Sequence, residues 1–77
     1  MNKCATRLKE LRIENGLTIK GLSKLLNISS KTWSKYEKTG SKIPSTILFE
    51  LYILFNIRLD YLLGLSDIKT PIKPYKK

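Results

Sequence analysis

The apolar positions of residues 17–37, LTIKGLSKLLNISSKTWSKYE, form two short helical stripes with a break between them. Leu22 recurs at Leu25 and Leu26, three and four positions on, which puts the three on one helix face. Thr18 stands ahead of this stripe, where its hydroxyl can accept from a free N–H of the opening turn. Asn27 stands where the stripe stops, and Asn tolerates the left-handed backbone of a tight helix end. Ile28 can plug the corner, and Ser29 can cap a second helix. There Trp33 and Tyr36, three apart, face inward, while Lys31, Lys35 and Lys38 lie opposite at spacings of four and three. The pattern predicts a helix-turn-helix, with helices over 18–26 and 29–38.

The flanking pattern adds three more helices. Residues 1–15 place Cys4, Leu8 and Leu11 on one face, with Lys3, Arg7 and Lys9 off it, free to reach phosphates or water. Asn15-Gly16 closes that helix by a left-handed cap. The stretch TGSKIP, 39–44, reads as a loop, and Pro44 suits the start of a fourth helix with Ser45 near its cap. Leu48, Leu51 and Phe55 share one face of it. Phe49, Tyr52 and Ile53 make it apolar nearly all round, so it is either thoroughly buried or half-buried against a partner. Asn56 ends it. Residues 58–63, RLDYLL, predict a short fifth helix closed by Gly64, with Leu59, Leu62 and Leu63 completing the core and Tyr61 and Leu65 near the surface. The expected architecture is all-α: a compact five-helix domain over 1–65, followed by a basic tail, 66–77. Pro71 and Pro74 bar a continuous helix in that tail.

Charge adds a partner class. The 77 residues carry a formal net charge of +9. Within 18–42, six lysines face one acid, Glu37, so that segment alone carries +5. A concentrated basic surface suits a polyanion, whether DNA, RNA or an acidic membrane. An ordinary solvated face is the alternative at each lysine. The chain has no histidine and one cysteine, Cys4, which excludes an intramolecular disulfide and a zinc site of the usual kind. A reducing cytoplasm is the expected location. The most apolar segment, 47–57, contains Glu50 and Asn56 and is too short to span a membrane. At this length no small-molecule effector domain is expected.

Residues 7–64 resemble the XRE (Cro and phage-repressor-like) helix-turn-helix family. The shared features are RLKELR at 7–12, ENGLT at 14–18, LSKLLNIS at 22–29 and SKYEK at 34–38, then Gly40-x-x-x-Pro44 and FNIRLDYLLG at 55–64. The resemblance implies a lambda-repressor-like domain that binds double-stranded DNA with its second hairpin helix in the major groove. Carried over by position, base reading falls on Ser30, Lys31, Thr32 and Lys35. First-helix backbone contacts fall near Thr18 and Ile19, and the family's loop along the DNA backbone brings in Lys38, Ser41 and Lys42; Lys24, by its charge, and Ser34, beside the lysine row, are further backbone candidates. The family pattern also pairs Arg12 with Glu37, tying the first helix to the reading helix, and places dimer contacts in the C-terminal region, here Ile53, Tyr61 and Leu65. Three positions depart from the pattern. Ile19 replaces a glutamine that contacts DNA. Gly21 replaces a glutamate that would complete a capping box. Trp33 replaces a smaller aliphatic residue, so the hairpin must repack.

Nothing in the chain suggests catalysis. There is no histidine base, no glycine-rich phosphate loop and no paired acidic site, and no cofactor is expected. The reading is a sequence-specific transcriptional regulator, a repressor acting as a homodimer on DNA. The alternatives are an antirepressor-like protein-interaction module of the same fold, or a polyanion binder driven by charge alone.

Overall fold

The computed structural model describes residues 3–69. It is all-helical over those residues, with α1 Lys3–Glu14, α2 Ile19–Leu26, α3 Ser30–Thr39, α4 Ser45–Phe55 and α5 Leu59–Leu62. α3 packs against both α1 and α2, and α5 joins α1 to α4. One core runs through all five helices. It holds Cys4, Leu8 and Leu11 of α1, Leu22 and Leu26 of α2, and Trp33 and Tyr36 of α3. Ile47 and Leu51 of α4, Ile57 and Leu62 complete it.

Local chemistry sets the helix ends. Thr18 Oγ1 accepts from Gly21 N at 2.9 Å and caps α2. A Cβ on Gly21 would lie 3.2 Å from that hydroxyl, so the absent side chain leaves room for the cap. Asn27 adopts the left-handed conformation, φ 57°. The N–H groups of Asn27 and Ile28 then return to the carbonyls of Lys24 and Ser23, which satisfies the last turn of α2. Ser29 Oγ accepts from Thr32 N at 3.1 Å and caps α3. Asn56, φ 53°, closes α4. Ser23 is buried within α2 and its hydroxyl donates to Ile19 O, leaving no orphan polar group there.

Several side chains differ from the expected pattern. Leu25 is 51% exposed although it shares the 3,4 spacing of its neighbours. The buried α2 stripe is narrower than three leucines: Leu22 and Leu26, one turn apart, join the core and Leu25 stays outside it. In α4 the innermost row is Ile47 and Leu51, with Leu48 and Phe55 only partly covered. Leu63 is 43% exposed because α5 ends at Leu62, before a second turn could bring it inward. Pro44 is the N-cap of α4 and offers no side-chain hydrogen bond. α1 ends at Glu14, and residues 1–2 at its start lie outside the described residues.

Residues 66–69 do not leave the domain. Arg58 N donates to Lys69 O, Lys69 pairs with Glu14 of α1, and Arg7 reaches Ser66 and Asp67. The remainder of the expected tail, 70–77, lies outside the described residues.

Candidate nucleic-acid interface

α3 has two unlike sides. Trp33 and Tyr36 are buried with their rings edge to face, centroids 6.0 Å apart and planes at 82°. Ser30, Lys31, Ser34, Lys35 and Lys38 are exposed on the helix's other sides. Thr32 is half-buried and its Oγ1 lies 2.8 Å from Ser29 Oγ, so the cap engages the hydroxyl expected to read a base. Its methyl group carries no such tie.

Around α3 the exposed cations accumulate. Lys20 and Lys24 project from α2, and Lys42 stands in the loop after α3. The ion pairs among the described residues are Arg7–Asp67, Arg12–Glu37, Arg58–Asp60 and Lys69–Glu14, and none uses a lysine of the 18–42 segment. Six ammonium groups therefore face solvent without a carboxylate partner among the described residues. Such a surface is ready to exchange counterions for phosphates.

The loop that carries Ser41 and Lys42 is bent twice. Gly40 has φ 62° and closes α3, with its N–H on Tyr36 O at 2.8 Å. Lys42 has φ 56°, a conformation that costs an L-residue roughly 1–2 kcal/mol. Ile43 packs against the core and pins the far end of the loop. Both exposed side chains, Ser41 and Lys42, are thus held on a short, constrained span beside the C-terminus of α3.

One carboxylate ties α3 to α1. Glu37 Oε2 accepts from Arg12 Nε at 2.6 Å and also from Trp33 Nε1, and Glu37 Oε1 accepts from Arg12 Nη2 at 3.3 Å. Arg12 Nη1 donates to Leu17 O at 3.0 Å, which ties the α1–α2 turn to the same cluster. The side chains of Arg12 and Glu37 are 14% and 9% exposed, so little water competes with these bonds.

One expectation is corrected by the geometry. Arg7 does not reach outward for phosphate. Its guanidinium donates to Tyr61 O at 2.6 Å, to Ser66 O at 2.8 Å and to Asp67 at 3.1 Å, and it lies 3.9 Å from the centre of the Tyr61 ring. That stack covers Tyr61, which is half-buried and packed on the core. Of the other two interface candidates, Ile53 is 36% exposed and Leu65 79%. Ile19, at the position where the resembled family has a DNA-contacting glutamine, packs against the core instead. Thr18 remains exposed, with its hydroxyl hydrogen still available to donate.

The link from Trp33 to Glu37 was not foreseen, although four residues separate the two, the spacing of neighbours on one helix face. The partners of Arg7 lie 54 to 60 positions away and leave no local signal. Among the described residues no group of three metal-ligating side chains converges, and no helix is long and apolar enough to cross a membrane. Cys4 is buried and free, and desolvation pushes its thiol pKa up, so it stays protonated at neutral pH.

Comparison with known proteins finds regulators similar to it in sequence. The chain is 34% identical over 65 residues to an uncharacterized HTH-type transcriptional regulator of Bacillus subtilis (strain 168), YobD, a match covering 84% of this chain and 58% of that protein. It is 37% identical over 62 residues to the HTH-type transcriptional regulator ImmR of the same organism, covering 80% of this chain and 49% of that protein. The chain thus spans about half the length of the curated relatives it matches. No solved structure matches it. A family model described as a helix-turn-helix domain matches residues 5–68, and the chain belongs to that helix-turn-helix family.

Proposed function

We propose that this protein is a sequence-specific regulator of transcription that binds double-stranded DNA with α3 in the major groove. The observation that carries the reading is the exposed lysine face of α3 on a helix whose opposite side is locked by Trp33, Glu37 and Arg12. The relatives named as HTH-type transcriptional regulators support it.

In this reading Lys31 and Lys35 donate to guanine O6 and N7. Ser30 hydrogen-bonds a base edge, and Thr32 offers its methyl to a thymine. Thr18, Lys24, Ser34, Lys38, Ser41 and Lys42 hold the phosphate backbone, which supplies register and most of the salt-dependent affinity. Two copies on a palindrome, with half-sites about 34 Å apart, raise a specificity that one copy's few base contacts leave modest. Bound over a promoter in the cytoplasm, a protein of this kind acts most simply as a repressor, by exclusion.

The test is selection from a random duplex pool at about 150 mM salt, followed by comparison of the enriched duplex with a scrambled one. The expected result is one motif, palindromic, bound about 10³-fold or more above background. Weak uniform binding that vanishes with salt would leave only charge. That outcome would favour the antirepressor-like interaction module, for which the exposed Phe49, Ile53 and Leu54 of α4 provide an apolar surface.

A further inference from the structure

We infer that Trp33 is a positioning residue of α3: its indole N–H orients the Glu37 carboxylate that Arg12 of α1 grips, and through that pair sets the rotation of the helix about its own axis and the base preference of Lys31 and Lys35. The inference rests on the DNA-reading role proposed above. Trp33 is fully buried, and a buried indole N–H requires an acceptor. The acceptor here is Glu37 Oε2, which Arg12 Nε also reaches. One oxygen thereby joins two positions on α3, a turn apart, to one position on α1. Apolar packing is non-directional and fixes how deep the helix lies. A hydrogen bond weakens steeply away from linearity, so the Arg12–Glu37 bonds between α1 and α3 fix rotation, and the indole N–H within α3 fixes where the carboxylate stands to make them.

Rotation matters because Lys31 and Lys35 stand two residues either side of Trp33, on the opposite face. A turn of about 15° moves atoms at the roughly 5–6 Å side-chain radius of a helix by about 1.5 Å. Base readout tolerates about 0.5 Å. Any apolar side chain of similar volume would fill the space beneath α3, but only an N–H in this place holds the Glu37 carboxylate in line with Arg12.

The experiment replaces Trp33 with β-(3-benzothienyl)alanine, which keeps the bicyclic shape and removes the N–H. Trp33→Phe is made beside it, and 5-fluorotryptophan, which keeps the N–H, serves as the rescue. Each protein is confirmed folded by circular dichroism. Its affinity is then measured for the duplex the wild-type chain selects and for a scrambled duplex. In the benzothienyl protein the ratio is expected to fall about tenfold or more, the equivalent of one charge-assisted hydrogen bond. Scrambled-duplex binding, which is electrostatic, is expected to hold within about twofold. The fluorinated protein is expected to match the wild type. An unchanged ratio in a folded benzothienyl protein would overturn the positioning role while leaving the DNA-reading role intact. A wild-type chain with no sequence preference would overturn both.

Discussion

Lysines of one helix need not share one role, and their positions on α3 separate them. Lys31 and Lys35 flank Trp33 on the side opposite the core, whereas Lys38 lies in the last turn next to the bent loop. Lys35→Ala is expected to cost roughly 1–3 kcal/mol of binding and to relax preference at one base position. Lys38→Ala is expected to weaken all duplexes alike and to lower the salt slope by about one unit. Titration of each variant against single-base substitutions at several salt concentrations checks both. Glu37→Ala is expected to destabilise the fold by roughly 3–5 kcal/mol in urea unfolding, because it strands the Arg12 guanidinium and the Trp33 N–H in a site that water barely enters. The Arg12–Glu37 pairing entered the sequence reading through a family pattern. The third member, Trp33, was recognisable only as core, since a side chain's volume says nothing about where its N–H points. Arg7 was misread for the opposite reason: a cation on a helix flank looks solvated until residues 54 and more positions later fold onto it.

At the scale of helices and turns, the ends were legible and the faces less so. Thr18, Asn27, Ser29 and Asn56 terminate helices through bonds to residues within four positions, so chemistry and spacing suffice to find them. α4 is apolar nearly all round, and a helix without a polar side gives periodicity nothing to phase. Leu48 and Ile47 were therefore indistinguishable in the sequence, and only packing selects Ile47. Ser29→Ala is expected to lose about 1 kcal/mol of stability, since one side chain both caps Thr32 N and tethers the Thr32 hydroxyl. Thermal unfolding of the variant measures it. At the start of α5 the hydrogen bond from Arg58 holds the Asp60 carboxyl below the usual carboxylate range. A lowered folded pKa means that this contribution is present above the unfolded carboxylate's pKa and is lost as pH falls through the folded one. Carboxyl NMR titration should place the Asp60 midpoint below those of exposed aspartates, and Arg58→Ala should return it to the ordinary range.

At the scale of the whole molecule, the described residues include apolar side chains that the five helices leave exposed. Phe49, Ile53 and Leu54 on α4 and Leu63, Leu65 and Ile68 after it are all exposed, at 36% or more. Contiguous exposed apolar surface on a small protein marks interaction sites, and under the proposed function we assign these residues to contact with a second copy. Two copies at +9 each repel one another, and DNA held by both relieves that repulsion. The two associations must therefore respond to salt in opposite directions: screening strengthens the free dimer and weakens the DNA complex. Light scattering at rising salt is expected to show the protein mass moving from monomer toward dimer while affinity for the palindrome falls. Leu65→Asp, at a position 79% exposed and so outside the core, is expected to hold the protein monomeric. It should weaken palindrome binding about tenfold, the usual scale of one lost interface anchor, and leave a single half-site unaffected. Equal losses on the palindrome and the half-site would mean that residue 65 acts on the DNA-binding unit itself. No loss on either would place the contact between copies elsewhere, and would leave this surface to a different protein.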